Sequence, residues 1–342
     1  MDSKLLTKLE NLSLAERLPK HDYLFSIADS AVSVLEREVC AFREKGKNGK
    51  AGGLLDFSGL SSLPLIIVPD IHARAYFMRN IMHFIPPEGF LPSEEKRLSV
   101  IEALDKNLLR VLCVGDLLHS ELRERARWLC AQMEFDDDDV TGPFMTDEMK
   151  EGLSLLSMIM ELKCAFPQNF HVLKGNHENI LNETGMGNFA FRKFCNEGEM
   201  CRLFMESFYG DEVTYVISCF EKALPLMAVF DKCIVSHAEP LRPYSRAELV
   251  DGLLNKDVVS GLTWTANGEA MLGSVEALLS VFVKKEKLGE ARYFAGHRPV
   301  RGKYALRQNG RFVQFHNPSE QNVALVYTDR AFDPEKHIVS VV

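Results

Sequence analysis

Five short, largely apolar runs, each followed directly by polar residues, constrain the fold of this chain more than any other feature. The runs cover residues 65–68, 109–114, 170–173, 232–235 and 292–295. Their length and composition are typical of strands buried on both faces, as in the sheets of α/β proteins. Because chemistry in such sheets concentrates on the loops at one edge, we expect the polar residues after the runs to lie close together.

The polar segments after these runs contain side chains that can bind metal ions. They are, in chain order, Asp70, His72, Asp116, Asn176, His177, His237 and His297. Two divalent ions about 3.5–4 Å apart need a bridging carboxylate, neutral imidazoles and an oxygen donor, with positions left open for water and a phosphoryl oxygen. The set meets this need, so the sequence predicts a two-metal centre for phosphoester hydrolysis.

The order and the amino-acid sequences of these segments resemble those of the calcineurin-like metallophosphoesterases, and among them most closely those of the PPP-type serine/threonine phosphoprotein phosphatases. The GNHE segment at 175–178 is shared without change. LTWTANG from Leu262 and FVQFHNPSEQNVALVYTD from Phe312 are also similar to family segments, so the resemblance covers roughly residues 65–329. It implies an α/β fold in which two mixed β-sheets pack as a sandwich flanked by helices.

The resemblance also implies a role for each residue. The implied ligands of the first metal are Asp70 and His72, the bridge is Asp116, and the ligands of the second metal are Asn176, His237 and His297. A water that bridges the metals would be the nucleophile, and His177 would be the general acid for the leaving oxygen. A role for His177 in merely orienting Asn176 stays open. These ligand types suit Mn, Fe, Zn or Mg without choosing among them.

One segment departs from the family pattern. Where the phosphatases read GDxVDRG, this chain reads GDLLHSE, so His119 replaces the carboxylate that orients the catalytic histidine and Ser120 replaces the phosphate-clamping arginine. Serine cannot replace a bidentate guanidinium, so we expect the metals alone or another arginine to stabilise the transition state. The candidates for substrate binding are Arg298, Arg74, Arg123 and His119. Glu239, in HAE instead of the family's HGG, adds a negative charge.

Three functions stay open on the sequence. The phosphatase-like flanks and a pI of about 5.8 favour hydrolysis of phosphomonoesters, on a protein or a small molecule. GDLLH also resembles the nuclease branch of the superfamily, which suggests a phosphodiesterase or a dinucleoside-polyphosphate hydrolase. That branch ends in GHxH, whose second histidine completes the first metal site, whereas here Pro299 stands in its place and cannot ligate. The third function is that of a non-catalytic, metal-binding regulatory protein.

Composition and residue patterns predict the domains, the partners and the location of the protein. Residues 1–53 are predicted to be a helical extension and linker, and residues 54–342 a catalytic domain with insertions near 86–108 and 122–147. The acidic run at 134–139 is predicted to be a solvated loop, with calcium binding as the alternative. A net charge of -8 argues against a nucleic-acid partner. No run has the apolar length of a membrane helix, and the eight cysteines form no CxxC pair, so we expect a cytoplasmic protein without a membrane partner.

Overall fold

The computed structural model describes residues 3–92 and 97–342. Its helices are α1 Ser3–Ser13, α2 His21–Glu36, α3 Ala75–His83, α4 Val100–Asp105, α5 Arg125–Asp136, α6 Pro143–Ala165, α7 Glu197–Ala223, α8 Arg246–Val250, α9 Lys256–Thr263, α10 Ser274–Phe282 and α11 Pro334–His337. Its strands are β1 Leu54–Asp56, β2 Leu65–Val68, β3 Arg110–Cys113, β4 Phe170–Val172, β5 Met227–Val229, β6 Cys233–Ser236, β7 Arg292–Ala295, β8 Ala305–Arg307, β9 Phe312–Gln314, β10 Asn322–Val326 and β11 Ile338–Ser340. None of the helices in these two ranges combines the length and the apolar character that crossing a bilayer requires.

Two mixed sheets lie at the centre of the fold. The strand order is β1-β5-β6-β7-β9-β8 in one sheet and β11-β10-β2-β3-β4 in the other. Within them β6, β7 and β9 run parallel to one another, as do β2, β3 and β4. Ile67 and Leu112 of one sheet share an apolar cluster with Val235 and Phe294 of the other, so the sheets pack face to face. The predicted sandwich of two mixed sheets is therefore confirmed.

The apolar runs form strands because both faces of each sheet are covered. All four residues of β2 are buried. Leu65 and Ile67 lie in the cluster between the sheets, whereas Ile66 and Val68 lie in the cluster formed with the outer helices. A strand of this kind needs apolar residues at every position rather than at alternate ones. The five predicted strands are present as β2, β3, β4, β6 and β7, with ends shifted by one residue in three of them.

The first two helices pack on the long helices α6 and α7. A buried ion group strengthens this contact: Glu38 accepts hydrogen bonds from Lys163 and Arg43, each at 2.5 Å. Burial alone would raise the pKa of Glu38, but Lys163, His171 and Arg43 together hold it well below its ordinary value. Removing one member of such a group would leave a buried charge unpaired. The boundary at residue 53 stays a prediction.

The second insertion, residues 122–147, is mostly helical. It consists of a short 3-10 turn at Glu121–Glu124, the helix α5 and the start of α6. Glu134, the first residue of the acidic run, accepts hydrogen bonds from the backbone N–H groups of Phe144 and Met145 at 2.9 and 3.0 Å. A carboxylate at a helix start is favourable because the first N–H groups have no partner within the helix. The first insertion includes α4, and its residues 93–96 lie outside the described residues.

Candidate metal centre

The seven residues predicted for the centre lie together at one edge of the sandwich. Asp70 and His72 follow β2, Asp116 follows β3, and Asn176 and His177 follow β4. From the other sheet, His237 follows β6 and His297 follows β7. Since β2, β3 and β4 are parallel, as are β6 and β7, the loops at their carboxyl ends share an edge. The edge rule therefore explains how residues more than 200 positions apart converge.

The backbone at these loops requires glycine and unusual dihedral angles. A Cβ atom on Gly296 would lie 1.8 Å from Oδ1 of Asp70, and one on Gly175 would lie 2.3 Å from Oδ1 of Asp116. His72, Asp116 and His297 themselves have positive φ values of 49°, 53° and 62°. Positive φ is costly for residues with a side chain and concentrates at functional sites. The fold thus accepts strain to aim these side chains at one point.

The first half of the centre combines Asp70, His72 and Asp116, all of them buried. One oxygen of Asp70, Oδ2, accepts the backbone N–H of His297 at 2.8 Å, while Oδ1 has no hydrogen-bond partner among the described residues. Nδ1 of His72 donates to the carbonyl of His119 at 3.0 Å. This fixes the tautomer, so the lone pair is on Nε2, which lies 3.7 Å from Oδ2 of Asp116.

The second half places three acceptor atoms against one another. Nδ1 of His237 donates to the carbonyl of Val114 at 3.0 Å. Its Nε2 lies 2.9 Å from Oδ1 of Asn176 and 3.5 Å from Oδ2 of Asp116. Burial, with His297 nearby, lowers the pKa of His237 well below its ordinary value, so the ring is neutral and Nε2 carries a lone pair. Nδ1 of His297 also contacts Oδ1 of Asn176, at 2.9 Å. A cation between these lone pairs would relieve their repulsion.

The buried carboxylates of Asp70 and Asp116 have too little positive charge around them to offset their burial. Burial and the neighbouring Asp70 and Glu178 raise the pKa of Asp116 well above its ordinary value. Burial raises the pKa of Asp70 to about 6, with Glu121 adding to the shift and His316 opposing it. Donor atoms of Asp70, Asp116 and His237 lie within 4.8 Å of one another. A pair of divalent ions would relieve this repulsion, so the residues fit the metals that the resemblance implies.

Two further buried side chains, which were not predicted from the sequence, lie in the first half of the centre. Oε1 of Glu121 lies 3.4 Å from Nε2 of His72, and Oε2 of Glu121 lies 3.1 Å from Nε2 of His316. Lys193 donates to Oε1 of Glu121 at 2.6 Å. Burial alone would raise the pKa of Glu121, but His72, His316 and Lys193 hold it far below its ordinary value. Two signals were present: Glu121 stands at the family's GDxVDRG glycine, and His316 follows a strand, β9, as the predicted ligands do.

His177 lies between the metal ligands and an aromatic wall. Its backbone N–H donates to Oδ1 of Asp116 at 2.9 Å, and its Nε2 lies 3.9 Å from Oδ2 of the same residue. The ring of His119 lies 5.0 Å from that of His177 and stacks on Trp128 at 4.8 Å. Behind it, Oε1 of Glu197 lies 3.5 Å from Nε2 of His119. Burial would raise the pKa of Glu197, yet His119 and backbone N–H groups lower it to about 2. The carboxylate of Glu197 therefore contacts His119, and His119 in turn lies beside His177.

The three arginines predicted to bind substrate differ in how they are held. The guanidinium of Arg74 donates to four backbone carbonyls, those of Asp70, Ile71, Pro318 and Glu320. Arg123 donates to Glu124 and Glu151 at 2.9 and 2.5 Å. The terminal nitrogens of both arginines thus bind to the protein itself, while Nε of Arg123 has no hydrogen-bond partner among the described residues. Arg298 is exposed, and within residues 3–92 and 97–342 its side chain has no hydrogen bond or ion pair.

The two other departures from the family pattern are satisfied within the fold. Ser120 donates from Oγ to Oε2 of Glu148 at 2.6 Å, away from any role in binding phosphate. Glu239 accepts a hydrogen bond from Gln308 at 2.7 Å and lies 3.3 Å from Nε of Arg307. The negative charge expected from Glu239 is therefore paired.

Comparison with known proteins places this geometry in a fold. No family model matches the chain, and no curated protein sequence matches it. A protein serine/threonine phosphatase from Saccharomyces cerevisiae with similarity to human phosphatase PP5 is 14% identical, with 99% of this chain and 95% of that chain covered and a TM-score of 0.59. A cold-active protein-tyrosine phosphatase of a psychrophilic Shewanella species is 9% identical over 84% and 82% of the two chains, with a TM-score of 0.46. A putative diadenosine tetraphosphatase is 14% identical over 84% and 97%, with a TM-score of 0.40. The first of these likenesses shows that the chain has the fold of a protein serine/threonine phosphatase, with two mixed sheets packed face to face and flanked by helices.

Proposed function

We propose that this protein is a phosphoester hydrolase that depends on two divalent metal ions and acts on phosphomonoesters. The observation that carries the proposal is the contact of Nε2 of His237 with Oδ1 of Asn176 and Oδ2 of Asp116. All three atoms present lone pairs, and a bound cation would stabilise such an arrangement. The full set of proposed ligands is Asp70, His72, Asp116, Asn176, His237 and His297. The carboxylate, imidazole and amide donors suit Mn, Fe, Zn or Mg.

The chain's own residues then have defined tasks. Bound divalent ions would polarise the phosphoryl oxygens and lower the pKa of a bound water. Asp116 would be the ligand shared by the two ions, and its side chain is held in place because Oδ1 accepts the backbone N–H of His177. His177, with a tenth of its side chain exposed, lies where it can give a proton to a leaving oxygen. His119 packs against its ring and fixes the orientation.

The protonation of His177 depends on substrate. Burial, with His119 and His72 nearby, lowers the pKa of His177 well below its ordinary value. The negative charge of a bound phosphoryl group opposes that lowering. A bound phosphoryl dianion would thus favour the protonated form of His177, whereas bound divalent ions would favour the neutral form.

Two cations at the entrance support binding of phosphate. Lys193 has 38% of its side chain exposed and lies 2.6 Å from Glu121, and the exposed Arg298 directly follows the proposed ligand His297. A phosphomonoester dianion gains more from such charges than a diester monoanion does. One observation favours the alternative of a diesterase or dinucleoside-polyphosphate hydrolase. Ser120 stands where the phosphatases have the phosphate-clamping arginine, and its hydroxyl donates to Glu148. The cytoplasmic location stays a prediction.

The test is a substrate and metal screen on the purified protein. The protein is stripped with a chelator, reloaded with Mn²⁺, Zn²⁺ or Mg²⁺, and assayed on nitrophenyl phosphate, bis-nitrophenyl phosphate, phosphopeptides and a dinucleoside tetraphosphate. We expect metal-dependent turnover, fastest on a monoester. Turnover of the diester alone would favour the alternative. Binding of metal without turnover of any substrate would instead indicate the regulatory function.

A further inference from the structure

The first metal site has fewer predicted ligands than the second. Asp70 and His72 serve it together with the bridging Asp116, whereas the second site has three ligands besides the bridge. Glu121 lies beside His72 of the first site, and His316 lies beside Glu121. Both are buried, at 4% and 0% exposure, and neither belongs to the ligand set proposed above.

The donor atoms on this side have the spacing of ligands that share one ion. Nε2 of His316 lies 3.1 Å from Oε2 of Glu121 and 3.9 Å from Oδ2 of Asp70, and Oε1 of Glu121 lies 3.4 Å from Nε2 of His72. Ligand atoms about 2.1 Å from one ion lie about 3.0 Å apart when their bonds are perpendicular and about 4.2 Å apart when they are opposite. One donor atom each from Asp70, His72 and His316 falls within 4.8 Å of the other two.

The backbone holds both side chains in this position. Glu121 has a φ of 56°, a conformation that an L residue adopts at a cost. The carbonyl of His316 accepts the backbone N–H of Val300 at 2.8 Å, which fixes the chain after β9. Nε2 of His316 donates to Oε2 of Glu121 at 3.1 Å, whereas Nδ1 has no hydrogen-bond partner among the described residues and is free to carry the ring proton instead. The ring can therefore present its Nε2 lone pair to an ion.

An unmet need for positive charge lies at the same place. Oδ1 of Asp70 is buried and has no hydrogen-bond partner among the described residues. Lys193 contacts Glu121, with 38% of its side chain exposed, and forms no ion pair with Asp70 in the part of the chain that the structure describes. The ammonium group of Lys193 thus pairs with Glu121, while Asp70 and His316 face the interior of the site.

We propose that His316 and Glu121 are additional ligands of the first metal. The imidazole of His316, which follows β9, takes the place of the second histidine of GHxH, where this chain has Pro299. The proposal rests on the two-metal centre of the proposed function and adds to it an asymmetry. The first ion would have two imidazoles and up to three carboxylates, and it would be held more tightly than the second.

The test measures metal binding rather than activity. His316→Phe and Glu121→Gln are stripped of metal and titrated with Co²⁺, with the ions per chain counted after dialysis and the d–d absorption recorded. His337→Phe removes a buried histidine that packs on Tyr327 and Phe332, and Glu124→Gln changes a carboxylate beside Arg123, so these are the matched controls. We expect either site variant to weaken the tighter Co²⁺ site by about 10–100-fold and to change its absorption, the scale on which even outer partners of a metal act. The controls should match wild type.

Equal Co²⁺ affinities and spectra in wild type, His316→Phe and Glu121→Gln would overturn the inference and leave a plain hydrogen bond between the two residues. Circular dichroism checks folding, and His316→Gln replaces the phenylalanine variant if that one does not fold. The inference and the proposed function can fail separately. Unchanged metal binding in the variants of a protein that turns over phosphoesters would refute the inference alone. Loss of the tighter site in the variants of a protein without turnover would refute the proposed function alone.

Discussion

Oε2 of Glu178 accepts the backbone N–H of Asp116 at 2.9 Å, which ties the last residue of the GNHE segment to the candidate bridging ligand. The same carboxylate accepts the N–H groups of Leu117 at 2.8 Å and Gly175 at 2.6 Å. It therefore joins the loops after β3 and β4. Burial raises the pKa of Glu178, and these N–H groups with Lys174 oppose the rise. The role of Glu178 is to position the loop of Asp116 rather than to bind a metal.

Replacing Glu178 by Gln should destabilise the protein and weaken its metal site. The amide NH₂ group of glutamine cannot accept a hydrogen bond, so at least one buried N–H would lose its partner, at a cost of about 1–3 kcal/mol. Urea unfolding measures the loss, and metal analysis after dialysis measures the site. Glu183→Gln, at a partly exposed pair with Lys222, is the control and should change neither quantity. A Glu178→Gln protein as stable as wild type would refute the positioning role.

Replacing Asp70 by Asn should stabilise the metal-free protein at pH 7.5. The pKa of Asp70 is raised to about 6 by burial, so the folded state holds this proton more tightly than the unfolded state, whose pKa is the ordinary one near 4. The stability that this proton gives is present below pH 4 and is lost as pH rises through about 6. Asn removes the penalty, so the variant should gain about 1–3 kcal/mol at pH 7.5.

The gain from Asp70→Asn should shrink as pH falls and vanish near pH 4, where wild-type Asp70 is protonated. Urea unfolding of both chelated proteins from pH 4 to pH 8 gives the comparison. With metal restored the order should reverse, since the variant loses a charged ligand. A stability difference that does not change with pH would contradict the raised pKa of Asp70.

Replacing His177 by Asn should slow turnover without removing metal. A proton donor of this kind contributes about 10²–10⁴-fold to kcat. The loss should be smaller for nitrophenyl phosphate, whose leaving group needs little help, than for an alkyl phosphate. Rates across a series of leaving groups, together with metal content, decide the matter. An equal loss for leaving groups of very different pKa would indicate that His177 only orients Asn176.

Replacing Arg298 by Ala should lower kcat/KM by about 10²-fold if its free guanidinium contacts the phosphoryl oxygens, the scale of one preorganised donor. Arg123→Ala is the control, because Arg123 is engaged by Glu124 and Glu151. Arg74 is unsuitable as a control, since its loss would leave four backbone carbonyls without their donor. Unchanged kinetics in Arg298→Ala would leave phosphate binding to the metals and Lys193, and would favour the diesterase alternative.

The sequence by itself determined the strands and the residues at their ends. A run such as Leu65–Val68 is apolar at every position because helices cover one face of its sheet and the other sheet covers the second, and that need is visible locally. Since parallel strands end at a shared edge, the position of a polar residue after such a run predicts its neighbours. Asp70, His72, Asp116, Asn176, His237 and His297 could therefore be placed together without any knowledge of contacts.

Only the tertiary structure decided which partner each remaining polar side chain takes. Glu121 and His316 meet across 195 positions of the chain, and β9 gives no local sign that it joins the sheet beside β7. Arg74 and Arg298 look alike in the sequence, yet one is buried on backbone carbonyls and the other is exposed. Local periodicity reports the burial of a segment, whereas the pairing of long side chains depends on packing between segments that are distant in sequence. That packing places the carboxylate of Glu197 behind His119 and the imidazole of His316 beside Asp70.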